Sequence, residues 1–452
     1  MPRAFSETAL SSGEAVVQRA PSPVNPVRGW ARLTFSSLKV RNYRLFFIGQ
    51  AVSLTGTWMQ GMAQALLVLK ITGSGSALGV VIALQFLPVL FLAPYGGVLA
   101  DRFSKRKLLF LTQGVAATLA LTLGTLVATG TIRLWMLYIL ASLLGVTNAL
   151  DNPTRQSFVH ELVGPDTLRN AVTLNALEVN LCRVIGPAFA GVLIVAVGLA
   201  PCFIINGVSY LAVLWCLWLM KGTALHRDEL VVAAKGQIRE GFAYVRGNPL
   251  IFDVLVMMAI VGTLTFEFQV MLPLIAKFTF HTTEKSDTIL LAVLMSAMGV
   301  GAVIGGLATA GRRTASVRAL TLASLGFGLS VIAVSLSPTA VVAVLLMVVV
   351  GGFSIVFTSL TNTILQIESL PTMRGRVMSL WSVAFLGSTV AGAPIIGWIC
   401  QYANPRWGMA TGGAAAVVAA AVGLIALRSG RHTTLPEGKI EEPSMTEKED
   451  RA

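Results

Sequence analysis

Long apolar runs alternate along this chain with short polar interruptions, and the runs have the length of a membrane crossing. Twelve of them, the first at about 45–69 and the last at about 407–427, can each cross about 30 Å of hydrocarbon as a helix. One sizeable internal polar segment, 221–248, has six runs before it and six after. The pattern predicts an all-α membrane protein of twelve transmembrane helices. Its parts are an N-terminal tail 1–42, a six-helix half 43–220, a linker 221–248, a second half 249–427 and a disordered tail 428–452.

Repeats support the division into two parallel halves. Gly96-Gly97-Val98-Leu99-Ala100-Asp101-Arg102 follows span two, and Gly305-Gly306-Leu307-Ala308-Thr309-Ala310-Gly311-Arg312-Arg313 follows span eight. Arg169-Asn170-Ala171-Val172 leads into span five as Arg374-Gly375-Arg376-Val377 leads into span eleven, and Pro187 with Gly191 answers Pro394 with Gly397. Such a repeat points to two pseudo-symmetric halves. The second copy of the first motif has Ala310 where Asp101 stands.

Composition agrees with a membrane protein: 55% hydrophobic, 12% charged, mean hydropathy +0.75. Placing the N-terminus in the cytoplasm puts 28 of the 34 Lys and Arg on the cytoplasmic side, five outside, and Arg183 within a span. Cytoplasmic loops carry such an excess, so both termini are expected inside, in a multi-pass protein of the inner membrane. The net charge of +13 lies in short loops and tails rather than on one face, which argues against nucleic acid. The four cysteines, Cys182, Cys202, Cys216 and Cys400, lie in or beside spans without metal-ligand spacing. Residues 1–42 hold no apolar core with a cleavage site, so span one is expected to act as the insertion signal. No nucleotide-binding loop, HExxH pair or G-x-S-x-G elbow occurs, and an enzyme or ATP-driven pump is not expected. No metal or cofactor is expected.

Gly97-x-Leu99-Ala100-Asp101-Arg102-x-Ser104-Lys105-Arg106-Lys107 resembles the loop signature between helices two and three of the major facilitator superfamily, with Ser104 and Lys105 in place of the usual Gly and Arg. Cys182-x-x-x-Gly186-Pro187-x-x-Ala190-Gly191 is similar to the antiporter signature of its exporters, with Cys182 and Ala190 replacing two glycines. Asn42-Tyr43-Arg44-Leu45-Phe46, Asp151-Asn152-Pro153-Thr154-Arg155-Gln156 and Leu370-Pro371-x-x-Arg374-Gly375-Arg376-Val377-Met378-Ser379 look like the branch of enterobactin exporters and macrolide-efflux permeases. The resemblance covers about 38–427. It implies a monomeric secondary transporter that exports a small organic molecule, a drug, secondary metabolite or siderophore, by proton antiport and alternating access. Proton-coupled uptake of a small solute is the alternative, and a non-transporting scaffold a third.

The resemblance also implies a gate at the cytoplasmic ends of the helices, where Asp101 pairs with nearby bases and with the start of helix eleven. Gly97, Arg102, Arg106, Arg374 and Arg376 belong to that set. A carboxylate is favourable at a helix N-terminus, so this contact would latch the halves in one state. The plainer reading is a charged turn that sets topology, which is the role read for Lys105, Arg106 and Lys107. Asn148, Asp151 and Arg155, three and four apart, share one helix face, so Asp151 can pair with Arg155 within the helix or Arg155 can reach Asp101.

Ionisable residues at membrane depth are functional candidates by default. Glu178 and Arg183 in span five and Glu267 in span seven qualify. Glu178 lies roughly 13 Å along its helix from Arg169, and Glu267 roughly 15 Å from the external end, so both are placed near a central cavity. Burial favours the neutral form of a carboxyl group, which is what proton coupling needs, and an organic cation could compete with the proton. Glu178 and Arg183, five apart, are turned about 140° from each other and should not pair. A structural hydrogen-bonding role is the alternative for each glutamate; Thr263, Thr265 and Gln269 make a polar neighbourhood for Glu267.

Gln60 and Gln64 share a face of span one and, with Gln85 of span two, either line the cavity or bond between helices. Trp58 offers a stacking surface or simple packing. Gly186, Pro187 and Gly191 read as a helix bend or as tight packing. In the linker, Ile238, Phe242 and Val245 form the apolar side of a short amphipathic helix on the membrane surface.

The latch reading generates one expectation. Asp101→Asn should leave membrane insertion intact and greatly reduce transport; efflux equal to wild type at equal expression would rule the latch out.

Overall fold

The computed structural model describes residues 36–220, 237–280, 283–310 and 315–428; within them the side chains at 93, 94, 97, 98, 100, 101, 165, 166, 169, 237–239 and 310 are outside the description. The predicted tails, apart from 36–42 and Arg428, and linker residues 221–236 also lie outside it. The described residues hold helices and no strand.

The first half contains α1 (Arg41–Thr72), α2 (Gly75–Arg102), α3 (Lys105–Ala128), α4 (Leu134–Gly164), α5 (Asn170–Val197) and α6 (Ala200–Leu219). After the linker helix α7 (Gln237–Gly247) come α8 (Pro249–Leu264), α9 (Phe268–Phe278), α10 (Glu284–Ala310), α11 (Val317–Ser335), α12 (Ala340–Glu368), α13 (Arg374–Ser382), α14 (Thr389–Tyr402) and α15 (Pro405–Arg428). Spans seven and eleven are each built from two pieces, α8 with α9 and α13 with α14.

Eleven of the resulting crossings are long and apolar enough to span a bilayer among the described residues. The twelfth, α1, has 32 residues but is diluted by Asn42, Arg44, Gln50, Gln60 and Gln64. All four of those amides, Asn42, Gln50, Gln60 and Gln64, are buried, so the polar content of α1 turns towards protein rather than lipid. An even number of crossings brings the start of α1 and the end of α15 to one face, called here the terminal face; the opposite one is the far face. A short 3₁₀ turn before α1 is tied down there: Ser37 donates to Asn170 Oδ1 and to the Thr167 carbonyl, and the Tyr43 hydroxyl donates to the Ala171 carbonyl at 2.9 Å.

Three expectations are corrected. Span four, expected from its apolar run to cover about 134–154, continues to Gly164, where a left-handed φ of 68° turns the chain into span five. Glu161, beyond the expected end of the span, is helical and has Lys105 as its partner within the bundle, and Arg155 pairs with Asp151 along the helix face as expected. Span seven is interrupted at 265–267, and Thr265 there donates to the Gly412 carbonyl of α15 at 2.7 Å. Span eleven begins at Arg374 and carries a π-helical segment, Val383–Gly387, between its pieces. Such segments often sit at functional positions.

The halves meet along two seams, α2 against α14 and α5 against α10. On the first, a Cβ at Gly79 would run into the Ala393 carbonyl, and one at Gly397 into the Gly75 carbonyl. Only glycine lets backbones approach this closely. The Gly75 amide donates to Gln401 Oε1 at 2.7 Å, and Lys277 donates to the Leu69 carbonyl at 3.2 Å. On the second seam Ser296 donates to the Val184 carbonyl at 2.9 Å, and Gly191 accommodates Ala292. All these approaches lie between the far face and the level of Leu90, which covers Gly387, and of Val184, which covers Gly299.

The far-face seam should fail when its glycines gain side chains. Gly79→Leu is expected to raise, severalfold, the labelling of a Gln64→Cys cavity reporter by a membrane-impermeant maleimide supplied from the far face. Unchanged labelling would show that the seam is not what closes that side.

Candidate functional site

Between the halves lies a cavity of about 140 Å³. The first half contributes Gln60, Gln64 and Trp58 from α1 and Gln85 from α2; the second contributes Gln269 and Pro273 from α9 and Met295 from α10. The wall is therefore rich in carboxamides and carries no formal charge. Asn206 donates to Gln60 Oε1 at 2.7 Å, and the Gln64 amide reaches Gln85 Oε1 at 3.5 Å. Thr57 and the Tyr210 hydroxyl, 3.3 Å apart, add a second pair on α1 and α6. These bonds fix the orientation of part of the wall and leave further amide donors and acceptors for a ligand.

Neither glutamate lines this cavity, contrary to the expectation from their depth. Glu178 is 4% exposed and is buried within the first half, in the electrostatic neighbourhood of Arg155 and Tyr43. Glu267 is 2% exposed and sits in the interruption between α8 and α9. Its Oε1 lies beside Gly392, and the Thr389 side chain faces it from α14. One carboxylate oxygen on each, Oε1, has no hydrogen-bond partner among the described residues. Phe266, next to Glu267, packs its ring against Phe327 and Phe385 at 5.3 and 5.2 Å, so an aromatic cluster shields the interruption. Thr263 bonds the Ala259 carbonyl within its own helix, and Gln269 faces the cavity rather than Glu267.

Arg183 does not pair with Glu178. Its guanidinium stacks on the Trp58 ring, 4.9 Å from the centroid, and its Nε is without a hydrogen-bond partner. Gly186 packs against Trp58 and the Thr55 carbonyl of α1, and Gly191 against α10. Backbone angles stay helical through Gly186 and Pro187, the non-helical one being at Gly164. These residues thus form a close-packed face in this state.

The gate residues fall into separate groups. Asp151 accepts from Thr112 at 2.6 Å and Gln113 at 2.8 Å, and pairs with Arg155 at 3.2 Å. Arg155 also donates to Gln50 and Asn152, so this network joins α1, α3 and α4 within the first half. Gly97 and Asp101 lie in the last turns of α2, and Arg102 beside them is exposed. Arg106 donates to the Trp218 carbonyl at the end of α6. Arg374 is exposed, whereas Arg376 pairs with Glu240 of α7 at 2.6 Å. The Leu370 amide donates to the Tyr244 hydroxyl, so α7 is docked on the second half. Val245 is buried there as its spacing implied, but Phe242 is exposed.

Sequence reasoning missed a largely buried ion pair. Lys105, read as a topological charge, holds Glu161 at 2.7 Å with both side chains 11% exposed. Misplacing the end of span four hid it, since Glu161 then stood in a loop. Tyr210 and Asn206 were missed because an isolated polar residue in an apolar span does not declare its partner.

Residues 32–451 match the model of the family described as transmembrane secretion effectors. The chain is 27% identical over 260 residues to the staphyloferrin A transporter of Staphylococcus aureus, covering 57% of this chain and 64% of that protein. It is 24% identical over 379 residues to the enterobactin exporter EntS of Escherichia coli O1:K1, covering 82% and 89%. Its fold resembles that of a bacterial homologue of the human lysosomal transporter Spinster in an inward-facing, unoccupied conformation. There the TM-score is 0.69 at 15% identity, over 87% of this chain and 99% of that one. The nucleoside transporter NupG gives a TM-score of 0.67 at 11% identity, over 86% and 99%.

The Lys105–Glu161 pair yields a stability expectation. Glu161→Gln leaves a largely buried ammonium without its counter-charge, and should destabilise the purified protein by about 3 kcal/mol in thermal unfolding. Lys105→Met combined with Glu161→Leu should recover most of that loss. If the double variant is no better than the single one, the pair is not what holds α3 to α4.

Proposed function

The chain belongs to the transmembrane secretion effectors of the major facilitator superfamily, and we propose that it exports a small organic molecule by proton antiport and alternating access. The observation that carries this reading is the cavity, walled by both halves and sealed on the far face by backbone contact. The excess of Lys and Arg supports a cytoplasmic terminal face. On that orientation the seal lies outside, and the state described is the one that receives substrate from the cytoplasm.

The two buried glutamates are the coupling candidates. Each has an oxygen with no bond to accept, a costly arrangement for a carboxylate in a water-poor interior and a natural one for a group that gains and loses a proton. Glu267 is the stronger of the two on position. It lies where span seven is broken and touches α14, next to the π-helical segment of span eleven, so its charge state acts on elements of the α2–α14 seam. Glu178 instead shares the Asp151–Arg155 neighbourhood of the first half. On this reading protonation of Glu267 favours one arrangement of span eleven against α2 and deprotonation the other. On the latch reading, Arg376, held by Glu240 here, exchanges that partner for Asp101 when the terminal face closes.

Everted membrane vesicles with an imposed pH gradient test this. Wild type should accumulate a transported dye, and a proton uncoupler should abolish the accumulation. Glu267→Gln should abolish pH-driven accumulation while leaving counterflow exchange of the same dye. Should Glu267→Gln and Glu178→Gln both retain full pH-driven export, the coupling proposal fails; dye movement only in the opposite direction would favour uptake.

A further inference from the structure

We propose that the inter-half cavity takes an organic anion with a planar group, and that Arg183, carried on the Trp58 ring, selects that charge. This rests on reading the cavity as the substrate site. Four observations converge on it. The wall has carboxamides from Gln60, Gln64, Gln85 and Gln269 but no Asp or Glu, so it offers a cation no full negative charge. Both membrane-depth glutamates are buried away from the lining. Trp58 lines the cavity, and the Arg183 guanidinium lies 4.9 Å from its ring. Finally, among the described residues no carboxylate is within ion-pair distance of Arg183, and its Nε has no partner.

The last point is the strongest. Arg183 stands near the middle of α5, a span of 28 residues, where an uncompensated cation is expensive. The other charges at the terminal-face end of the first half illustrate the contrast: Arg155 has Asp151, and Lys105 has Glu161. A cation–π contact supplies roughly 0.5–2 kcal/mol, less than burial of a guanidinium requires. The fork of donors matches a carboxylate, sulfonate or phenolate, and it is pre-oriented by the indole beneath it. A planar ligand group can then lie along the exposed part of the same aromatic surface while its polar substituents meet the glutamine amides. Arg183 is not itself part of the cavity wall but adjoins it through Trp58, so an organic cation on that ring meets its charge with no carboxylate to offset the repulsion.

Binding to the purified full-length protein in detergent tests this without any gradient, so the outcome is independent of direction and coupling. The probes are fluorescein, a planar dye that is anionic at neutral pH, and ethidium, a planar cation of similar size, both followed by fluorescence anisotropy. Wild type is expected to bind fluorescein at least about tenfold more tightly than ethidium. Arg183→Gln should weaken fluorescein by about tenfold and narrow the difference between the dyes. Arg183→Lys, which keeps the charge and loses the fork, should fall between the two. Ethidium bound as tightly as fluorescein, no saturable fluorescein binding, or equal fluorescein affinity in wild type and Arg183→Gln would overturn the proposal. If Arg183→Gln does not fold, the two-dye comparison on wild type decides it alone. Fluorescein binding with no transport in energised vesicles would instead leave this inference standing and refute export.

Discussion

A charge inside hydrocarbon must find a partner, and the way this chain meets that demand organises the rest of the molecule. In the first half the demand is met locally. Asp151 collects Thr112, Gln113 and Arg155, while Lys105 and Glu161 neutralise each other, so four charges become internal ties among α1, α3 and α4. Left over deep in the bundle, among the described residues, are an oxygen of each of Glu178 and Glu267 and the guanidinium edge of Arg183. Those remainders are where chemistry can enter, because each is stabilised by something the protein itself does not hold.

The halves share a plan and differ in how they carry it out. Spans of the first half run as unbroken helices, with the chain turning at Gly164 only after span four is complete. In the second half span seven is interrupted at 265–267 and span eleven passes through a π-helical segment. The interruptions are packed on one another through Gly392 and Gly262, beneath the cluster of Phe266, Phe327 and Phe385. The repeat visible in the sequence is thus a repeat of topology. The half that lacks an acid at Ala310 is the half that places a buried acid in a broken helix. A first half tied by ion pairs can move as a unit, while the second has built-in places to bend.

Hydrophobic periodicity made the architecture legible, since a bilayer leaves few alternatives to a bundle of spans. Legibility ended where partners decide structure. The interruption at Glu267 is invisible in an apolar run, because what allows it is the Gly412 carbonyl of α15, far along the chain, accepting from Thr265. Helix four was ended too early, although Glu161 beyond that end is satisfied inside the bundle by Lys105. Cavity residues were half legible: Gln60, Gln64 and Gln85 stand out as amides in apolar surroundings, whereas Tyr210 becomes a site residue only through the packing of α6 on α1. The depth of Glu178 and Glu267 could be counted from sequence; the direction each side chain takes could not.

The glycine seam on the far face has a kinetic consequence. Where Gly79 meets Ala393 and Gly397 meets Gly75, two backbones lie directly against each other. At those two points the contact is backbone on backbone, and the side chains seated on the seam are few, Leu274 on Gly75 and Leu90 on Gly387. The resistance to opening then resides in a few polar contacts at the rim, the Gly75 amide with Gln401 and Lys277 with the Leu69 carbonyl, which water can replace as they break. The surface that makes the closed state tight is therefore also one that can be left with a low barrier, as a valve cycling once for every molecule moved requires.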